Sequence, residues 1–212
     1  MTRNRAQTEA RILASIGELL AKPPGFQSLG INAIAERAAV DKVLIYRYFG
    51  GLPEVLTAYG AAVDIWPSVD EVLGDHDPAE EGFVATLSAL VQGYLAALQR
   101  RPATLEVLAW SLCVRNPLTE AVERARAAWE REVTERVFRH HKVPARVDIQ
   151  AVLAVLAAAA DCLAARSRTS ERYNGVDLNT DDGRRRLNEA IAMIVESVVA
   201  FATQPADGRK KA

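Results

Sequence analysis

The residues best suited to contacting another molecule lie in the segment LGINAIAERAAVDKVLIYRYFGGLPEVL, residues 29–56. Within about one helical turn, Lys42 offers a cation, Val43 an apolar surface and Tyr46 a hydroxyl. A cation can pair with phosphates, an apolar group can contact thymine methyls, and a hydroxyl can hydrogen bond to base edges or phosphates. An α-helix that begins in this way fits the major groove of double-stranded DNA.

Two short helices, at residues 30–38 and 42–48, are predicted to present these side chains across a tight turn. Apolar residues at helical spacing give the first helix a buried face, on which Ala35 is small enough for close approach by the second. Asp41 is a suitable N-cap for the second helix. Ile45 is expected to point inward, which leaves the other faces to Lys42, Val43, Leu44, Tyr46 and Arg47. The pattern predicts a helix-turn-helix.

A plain helical hairpin inside a bundle is the alternative interpretation of this segment. It would place Tyr46, Tyr48 and Phe49 in a hydrophobic core. Three aromatic residues within four positions of a helix cannot all face one core, so at least one must be exposed unless a partner covers it. The aromatic spacing therefore favours a contact surface.

Charge is unevenly distributed along the 212 residues, although the net charge is only -1. The first 50 residues contain seven Lys or Arg and four Asp or Glu, so the remaining chain is acidic. A small basic unit on a larger acidic body is typical of an attached nucleic-acid reader. Arg3 and Arg5 could belong either to a solvated tail or to an arm that enters the minor groove.

Neither a catalytic site, a metal site nor a cofactor is predicted. Cys113 and Cys162 lie far apart without metal-ligand spacing, and the sequence shows no pattern of a nucleophile with a base, of paired carboxylates or of a phosphate loop. A helical-bundle enzyme is therefore disfavoured. The chain lacks a signal-peptide pattern, and its longest apolar run, residues 151–165, is interrupted by Asp161. We expect a cytoplasmic protein that does not bind membranes.

Helical periodicity runs through the rest of the chain, and half of all residues are hydrophobic, as in ordinary globular proteins. We predict an all-α fold of about nine helices, with a polar connection at residues 67–78. The first predicted helix ends at KPPGF, and the two short helices follow it. The fourth is lined by Leu52, Val55, Leu56, Tyr59, Val63 and Trp66. The remaining five are predicted near residues 83–98, 102–113, 118–137, 148–166 and 181–203.

Residues 11–56 resemble the TetR family of bacterial transcriptional regulators. The resemblance rests on RILASIGELL, GF, INAIAERAAV and LIYRYF, within residues 11–56, and on YNGVDLNTDDGRRRLNEAI before and into the last helix. It implies an all-α homodimer with a DNA-binding domain at residues 1–50. It also implies a ligand-binding and dimerisation domain at 51–204, followed by a flexible basic tail at 205–212.

By position, the resemblance assigns base contacts to Lys42, Val43 and Tyr46, with Asn32 as a fourth, and phosphate contacts to Tyr46 and Tyr48. Leu44 and Arg47 complete the expected DNA-binding set. A transcriptional repressor that binds a palindromic operator and is released by a small molecule is the implied function.

The chain departs from the usual family pattern at three places in this domain. Ala39 replaces the turn glycine, which costs roughly 1–2 kcal/mol if that residue adopts a positive φ. Leu29 and Gly30 replace a Thr/Ser pair, and Leu52 replaces a phosphate-binding lysine. Leu29 and Leu52 suggest the alternative of an interaction protein whose degenerate helix-turn-helix no longer binds DNA.

Effector and dimer residues are expected in the C-terminal body. The expected effector-pocket residues are Trp66, Tyr94, Trp110, Cys113 and Trp129, each of which could instead be an ordinary core residue. The last two helices could form either an internal hairpin or half of an intermolecular four-helix bundle, and the dimer is favoured. The expected dimer-interface residues are Leu156, Ala160, Leu163, Ile191, Ile194 and Val198. Asp161 needs a partner in this apolar helix, and Arg166 or Arg168 is the expected one.

Overall fold

The computed structural model describes residues 2–61, 65–142 and 146–203, of which the side chains of Thr2, Arg3 and Thr203 are not described. The all-α prediction is confirmed. Within these ranges the ten helices are α1 Thr2–Ala21, α2 Ile31–Arg37, α3 Lys42–Phe49, α4 Leu52–Gly60, α5 Val69–Leu73, α6 Phe83–Gln99, α7 Pro102–Ser111, α8 Pro117–Val137, α9 Ile149–Arg166 and α10 Asp181–Thr203. Short 3-10 turns lie at Gly25–Ser28 and Phe138–His140.

The N-terminal helices pack around a small, fully buried core. Its members from α1, α2 and α3 are Ile12, Ile16, Leu20, Ile34 and Ile45, each with no exposed surface. Ile12, Ile16 and Leu20 lie on one face of α1. Burial of each such side chain contributes about 1.5–3 kcal/mol relative to exposure, which fixes α3 on its two neighbours.

Side-chain caps determine where the functional helices begin. The Asp41 carboxylate accepts the backbone N–H of Val43 at 2.8 Å, which confirms Asp41 as the N-cap of α3. Asn116 and Thr119 form a capping box at the start of α8, and Asp148 caps α9. Each cap satisfies backbone donors that the first helical turn leaves unpaired.

The end of α4 differs from the prediction. α4 ends at Gly60, so Trp66 lies beyond the helix, and Val63 lies outside the described residues. Gly60 permits close contact with α8, because a Cβ at this position would lie 2.7 Å from the Cβ of Ala121. The apolar spacing predicted a helix that continues to Trp66. The observed helix instead ends at Gly60, where it packs closely against α8, and Ala61 is its C-cap.

Two small elements were missed by the periodicity. The predicted polar connection contains α5, which Ser68 caps and which buries Val69, Val72 and Leu73. Before α10, strands β1 (Arg172–Tyr173) and β2 (Val176–Asp177) pair in antiparallel fashion. The intervening Asn174 and Gly175 both have positive φ, as a tight hairpin turn requires.

The C-terminal region is a bundle in which α6 packs against α5, α9 and α10. It meets the N-terminal helices where α1 packs on α7 and α4 packs on α8. By length and composition alone, α9 is apolar enough to cross a membrane, and only 17% of that window is buried within the chain.

Candidate nucleic-acid interface and a cavity in the C-terminal region

The turn between α2 and α3 has helix-turn-helix geometry. Ala35 and Ala38 are buried under α3, and the N–H of Val40 donates to the carbonyl oxygen of Ala35 at 3.0 Å. Ala39 has φ 50, the left-handed conformation that usually selects glycine. The alanine departure therefore leaves the turn intact and places strain at one residue.

The outer face of α3 carries the predicted contact residues. Val43 is 60% exposed and Tyr46 is 53% exposed, and Lys42 and Arg47 are also exposed. Ile45 is fully buried, as predicted, and anchors the opposite face. The helix thus presents a cation, an apolar group and a hydroxyl together to solvent.

Two of the remaining three predicted DNA-contact residues, Asn32 and Leu44, lie beside this face. Asn32 is exposed in the first turn of α2, and Leu44 is half-buried on α3. Leu29 and Leu52, which depart from the family pattern, pack against the hydrophobic core. Gly30 caps α2 with an extended backbone and no side-chain hydrogen bond. The departures remove polar groups without covering the exposed face of α3.

Two arginines surround Tyr48, which is half-buried at the end of α3. The guanidinium carbons of Arg5 and Arg47 each lie 5.0 Å from the centre of its ring, and Arg47 donates to its hydroxyl at 3.1 Å. Arg5 also pairs with Glu9 at 2.7 Å, and this hydrogen bond raises the pKa of Arg5. Arg5 does not lie in a solvated tail, because α1 begins at Thr2 and Arg5 lies against Tyr48 of α3.

A cavity of about 580 Å³ lies between α6, α8 and α9. Its lining residues are Leu90, Val91, Tyr94, Arg126, Trp129, Glu130, Val133, Thr134, Gln150, Leu153, Ala154, Ala157, Ala158 and Asp161. The ring centres of Tyr94 and Trp129 are 5.1 Å apart and the rings stack. The structure thus brings two of the five predicted pocket residues together.

The other three predicted pocket residues lie elsewhere. Trp66 is buried behind Trp129, where its indole N–H donates to the carbonyl oxygen of Val122 at 3.2 Å. It lines a second cavity of about 560 Å³ beside α8. Trp110 stacks on Phe26 instead, and Cys113 is exposed after α7. These three predictions do not hold for the cavity between α6, α8 and α9.

A charged network forms the polar part of this cavity. Arg126 Nη1 donates to Asp161 Oδ2 at 2.6 Å, and the Tyr94 hydroxyl donates to Asp161 Oδ1 at 2.7 Å. Arg126 Nε also donates to Glu130 at 3.1 Å. Burial and the charge of Asp161 raise the pKa of Tyr94, so its hydroxyl remains a donor.

The expected partners of Asp161 are corrected by this network. Neither Arg166 nor Arg168 pairs with it, because Arg126 projects from α8 directly onto the carboxylate. The indole N–H of Trp129, which also lines the cavity, is buried and has no hydrogen-bond partner in the described chain. The cavity therefore combines aromatic and aliphatic walls with a few polar groups.

The outer faces of α9 and α10 are strongly apolar. Val155 on α9 is 69% exposed, and Met193 on α10 is 66% exposed. Ile194 and Phe201 are also exposed. Such a surface is typical of an interaction site.

The residues predicted for a dimer interface are divided between the inside and the outside of the chain. Leu156 and Ala160 are buried within the protomer, so they cannot provide an outer surface. Leu163, Ile191 and Val198 are half-buried, whereas Ile194 is exposed. The alternation between Leu156 and its exposed neighbour Val155 follows from helical geometry, since consecutive residues face different directions.

Comparison with known proteins places the exposed α3 face in context. Residues 18–58 match the family described as bacterial regulatory proteins, tetR family. A crystal structure of RolR in complex with the ligand resorcinol is similar at 18% identity and a TM-score of 0.35, covering 99% of this chain and 100% of that one. No curated protein sequence matches the chain. The matched segment contains α2, the turn and α3, so this part of the chain is similar to the N-terminal segment of that family.

Proposed function

We propose that this protein is a repressor that binds a palindromic operator as a homodimer and is released by a small molecule. The observation that carries the DNA-binding part is the exposed face of α3 within the family domain. Lys42, Val43 and Tyr46 would meet base edges, with Asn32 beside them. Tyr48 and Arg47 would meet phosphates at the edge of the groove. Leu44 would contribute apolar contact from the side of the helix.

Dimerisation through α9 and α10 would cover the apolar face that carries Val155, Met193 and Phe201. Two recognition helices related by a two-fold axis bind half-sites about 34–36 Å apart, so the operator should be palindromic. A polar substitution that leaves the inside of the protomer unchanged tests this interface. Val155→Asp should yield monomers in sedimentation velocity, whereas Leu112→Asp, at another exposed apolar residue, should leave dimers.

The effector would occupy the cavity between α6, α8 and α9. Its volume of about 580 Å³ lies within the range typical of small-molecule sites, which are mostly apolar with few polar groups. Tyr94, Arg126 and Asp161 would orient the ligand. This assignment makes residues 1–50 the DNA-binding domain and residues 51–204 the ligand-binding and dimerisation domain, acting in the bacterial cytoplasm. The predicted tail, 205–212, lies outside the described residues.

The alternative of a degenerate module without DNA binding is not favoured. It depended on Leu29 and Leu52, and both leucines serve the core while the recognition face stays exposed. The loss of a phosphate-binding lysine at residue 52 should weaken nonspecific binding and lower the salt dependence by about one counterion.

Binding to the intergenic DNA upstream of the protein's own gene tests the proposal. Fluorescence anisotropy at two salt concentrations should show tight, salt-sensitive binding with two protomers per palindrome. Tyr46→Ala should abolish specific binding, and Lys42→Ala should weaken it, because both side chains face the groove. Lys142→Ala changes another exposed lysine, outside the domain, and serves as the control.

Absence of binding to that DNA would require a genome-wide capture experiment to find a distant operator. Absence of any captured site would refute the repressor proposal. Equal binding by wild type and Tyr46→Ala would refute the assigned role of α3, because a side chain at the groove cannot be removed without loss of contact.

A further inference from the structure

The N-terminal helices contact the C-terminal region at the side chain of Glu106, on α7. Its Oε1 accepts the backbone N–H of Phe26 at 2.9 Å and the indole N–H of Trp110 at 3.0 Å. Its Oε2 pairs with Nη1 of Arg168 at 3.2 Å. The side chains of Glu106 and Arg168 are only 17% and 20% exposed. We refer to Phe26, Glu106, Trp110 and Arg168 as the Glu106 cluster.

The turn at residues 25–28 is shaped to receive this carboxylate. Gly25 has φ 62, and a Cβ at this position would lie 2.2 Å from Glu106 Oε1. The rings of Phe26 and Trp110 stack with centres 5.1 Å apart. The DNA-binding domain thus contacts α7 through Gly25, the stacked rings of Phe26 and Trp110, and the carboxylate of Glu106. The hydrogen bond from the Phe26 N–H to this carboxylate is charge-assisted, which makes the contact directional.

The same cluster is connected to the cavity through α9. Arg168 follows the last residue of α9 by two positions, and it also donates to the carbonyl oxygen of Pro102 at the start of α7. One helical face of α9 lines the cavity, where Asp161 joins the network with Arg126. The backbone N–H groups of Ser167 and Arg168 donate to the carbonyl oxygens of Leu163 and Ala165, at 3.0 and 3.3 Å, so Arg168 is held against the last turn of the helix that carries Asp161. A displacement of α9 at the cavity therefore moves Arg168.

We propose that Glu106 is a positioning residue for DNA binding, which relays the position of α9 to the turn that precedes α2. This inference rests on the proposed function, because it assigns a route between the cavity and the operator. With the cluster closed, the turn at residues 25–28 is held against α7 and the two recognition helices of a dimer keep one spacing. When α9 moves, the bond between Arg168 and Glu106 opens and releases the turn.

Two charge-removing substitutions in the intact chain test the relay. Glu106→Gln keeps an oxygen that can accept from Phe26 and Trp110, but it removes the charge that pairs with Arg168. Arg168→Gln removes the pair from the other side. Each variant should bind the upstream DNA at least about fivefold more weakly than wild type, a typical allosteric coupling. The double variant should be no weaker than the weaker single variant, because both changes open one contact.

The matched control is the ion pair between Arg115 and Glu120, which is 2.7 Å long and lies on the exposed surface after α7. Glu120→Gln and Arg115→Gln should change DNA affinity by less than about twofold. Affinity is measured well below the thermal midpoint of every variant, so that only folded protein contributes. A lower midpoint together with wild-type affinity in Glu106→Gln and Arg168→Gln would show a purely structural role and overturn the relay.

Hydrogen exchange separates failure of the relay from failure of the proposed function. In Arg168→Gln, the amide of Phe26 and the amides of α2 and α3 should exchange faster, although Arg168 contacts none of them directly. If wild type binds no DNA, the repressor proposal fails and exchange alone decides the relay. Unchanged exchange at Phe26, α2 and α3 would overturn it.

Discussion

Replacing Ala39 with glycine should stabilise this protein, although alanine to glycine changes usually destabilise. Ala39 lies in the turn between α2 and α3 with φ 50, and its side chain is exposed. Its backbone N–H donates to the carbonyl oxygen of Glu36 at 3.1 Å, a bond that glycine can also make. The substitution therefore removes a strained Cβ and no buried contact.

Two opposing terms set the size of the effect. A left-handed conformation costs an L-residue about 1–2 kcal/mol, and glycine avoids this cost. The greater freedom of glycine in the unfolded chain costs about 0.4–1 kcal/mol. The midpoints of these ranges give a net stabilisation of about 0.8 kcal/mol. In a chain of this length that corresponds to a rise in Tm of about 2–3 °C.

Urea unfolding followed by circular dichroism measures this difference, with all proteins at the same protomer concentration because a dimer is stabilised by mass action. Ala127→Gly is the matched control, since Ala127 is an exposed residue in the interior of α8. The control should lose about 1 kcal/mol of unfolding free energy. If Ala39→Gly is destabilised to the same extent as the control, the strain assigned to the turn does not exist.

Three further substitutions test other contacts. Asp161→Asn should lower the free energy of unfolding, measured in urea, by about 2 kcal/mol. The reason is that the mostly buried Arg126 loses its nearest carboxylate, although it keeps some contact with water. An unchanged free energy of unfolding would contradict this prediction. Glu71→Gln tests pH dependence: the hydrogen bond from Arg101 lowers the pKa of Glu71 to about 2, so its contribution is complete above about pH 4.5 and is lost as pH falls towards 2. Allowing for solvent screening, the difference between wild type and Glu71→Gln should be about 1 kcal/mol at pH 7 and should disappear near pH 2, and a difference that persists there would refute the assignment. Asp41→Ala should lose about 1 kcal/mol in thermal unfolding through loss of the N-cap of α3, whereas Asp41→Asn should retain most of it; equal losses would show that capping is not the cause.

The helix-turn-helix was predictable because its determinants are local. The inward direction of Ile45, the small size of Ala35 and the capping role of Asp41 all follow from spacing and residue type. The same locality explains the correct bounds of α10 and the cap of α9 at Asp148. Short-range patterns of this kind do not depend on how distant helices pack.

The polar network of the cavity was not predictable, because it depends on the packing of three distant helices. Asp161 was a visible signal, since a carboxylate in an apolar helix needs a partner. Arg126, however, belongs to a run of alternating charges on α8 that is typical of a solvated helix face. Only the placement of α8 against α6 and α9 distinguishes Arg126 from the neighbouring arginines. The apolar spacing likewise predicted that Trp66 lies on α4. It contains no information about the close contact between Gly60 and Ala121 at the end of that helix, because Ala121 is distant in sequence.

α9 links the proposed dimer interface to the proposed effector site, because one helix forms part of both. Ala157 and Asp161 line the cavity, whereas Val155 is exposed on the outside and Leu156 packs inside the protomer. A rigid helix cannot shift at one face while the others stay fixed, since its neighbours are close-packed. Ligand binding at the proposed effector site would therefore perturb the packing of the outer face as well as Arg168 beyond the end of the helix. In the proposed symmetric dimer the outer face would meet the partner subunit, so occupation of one cavity should alter the affinity of the second.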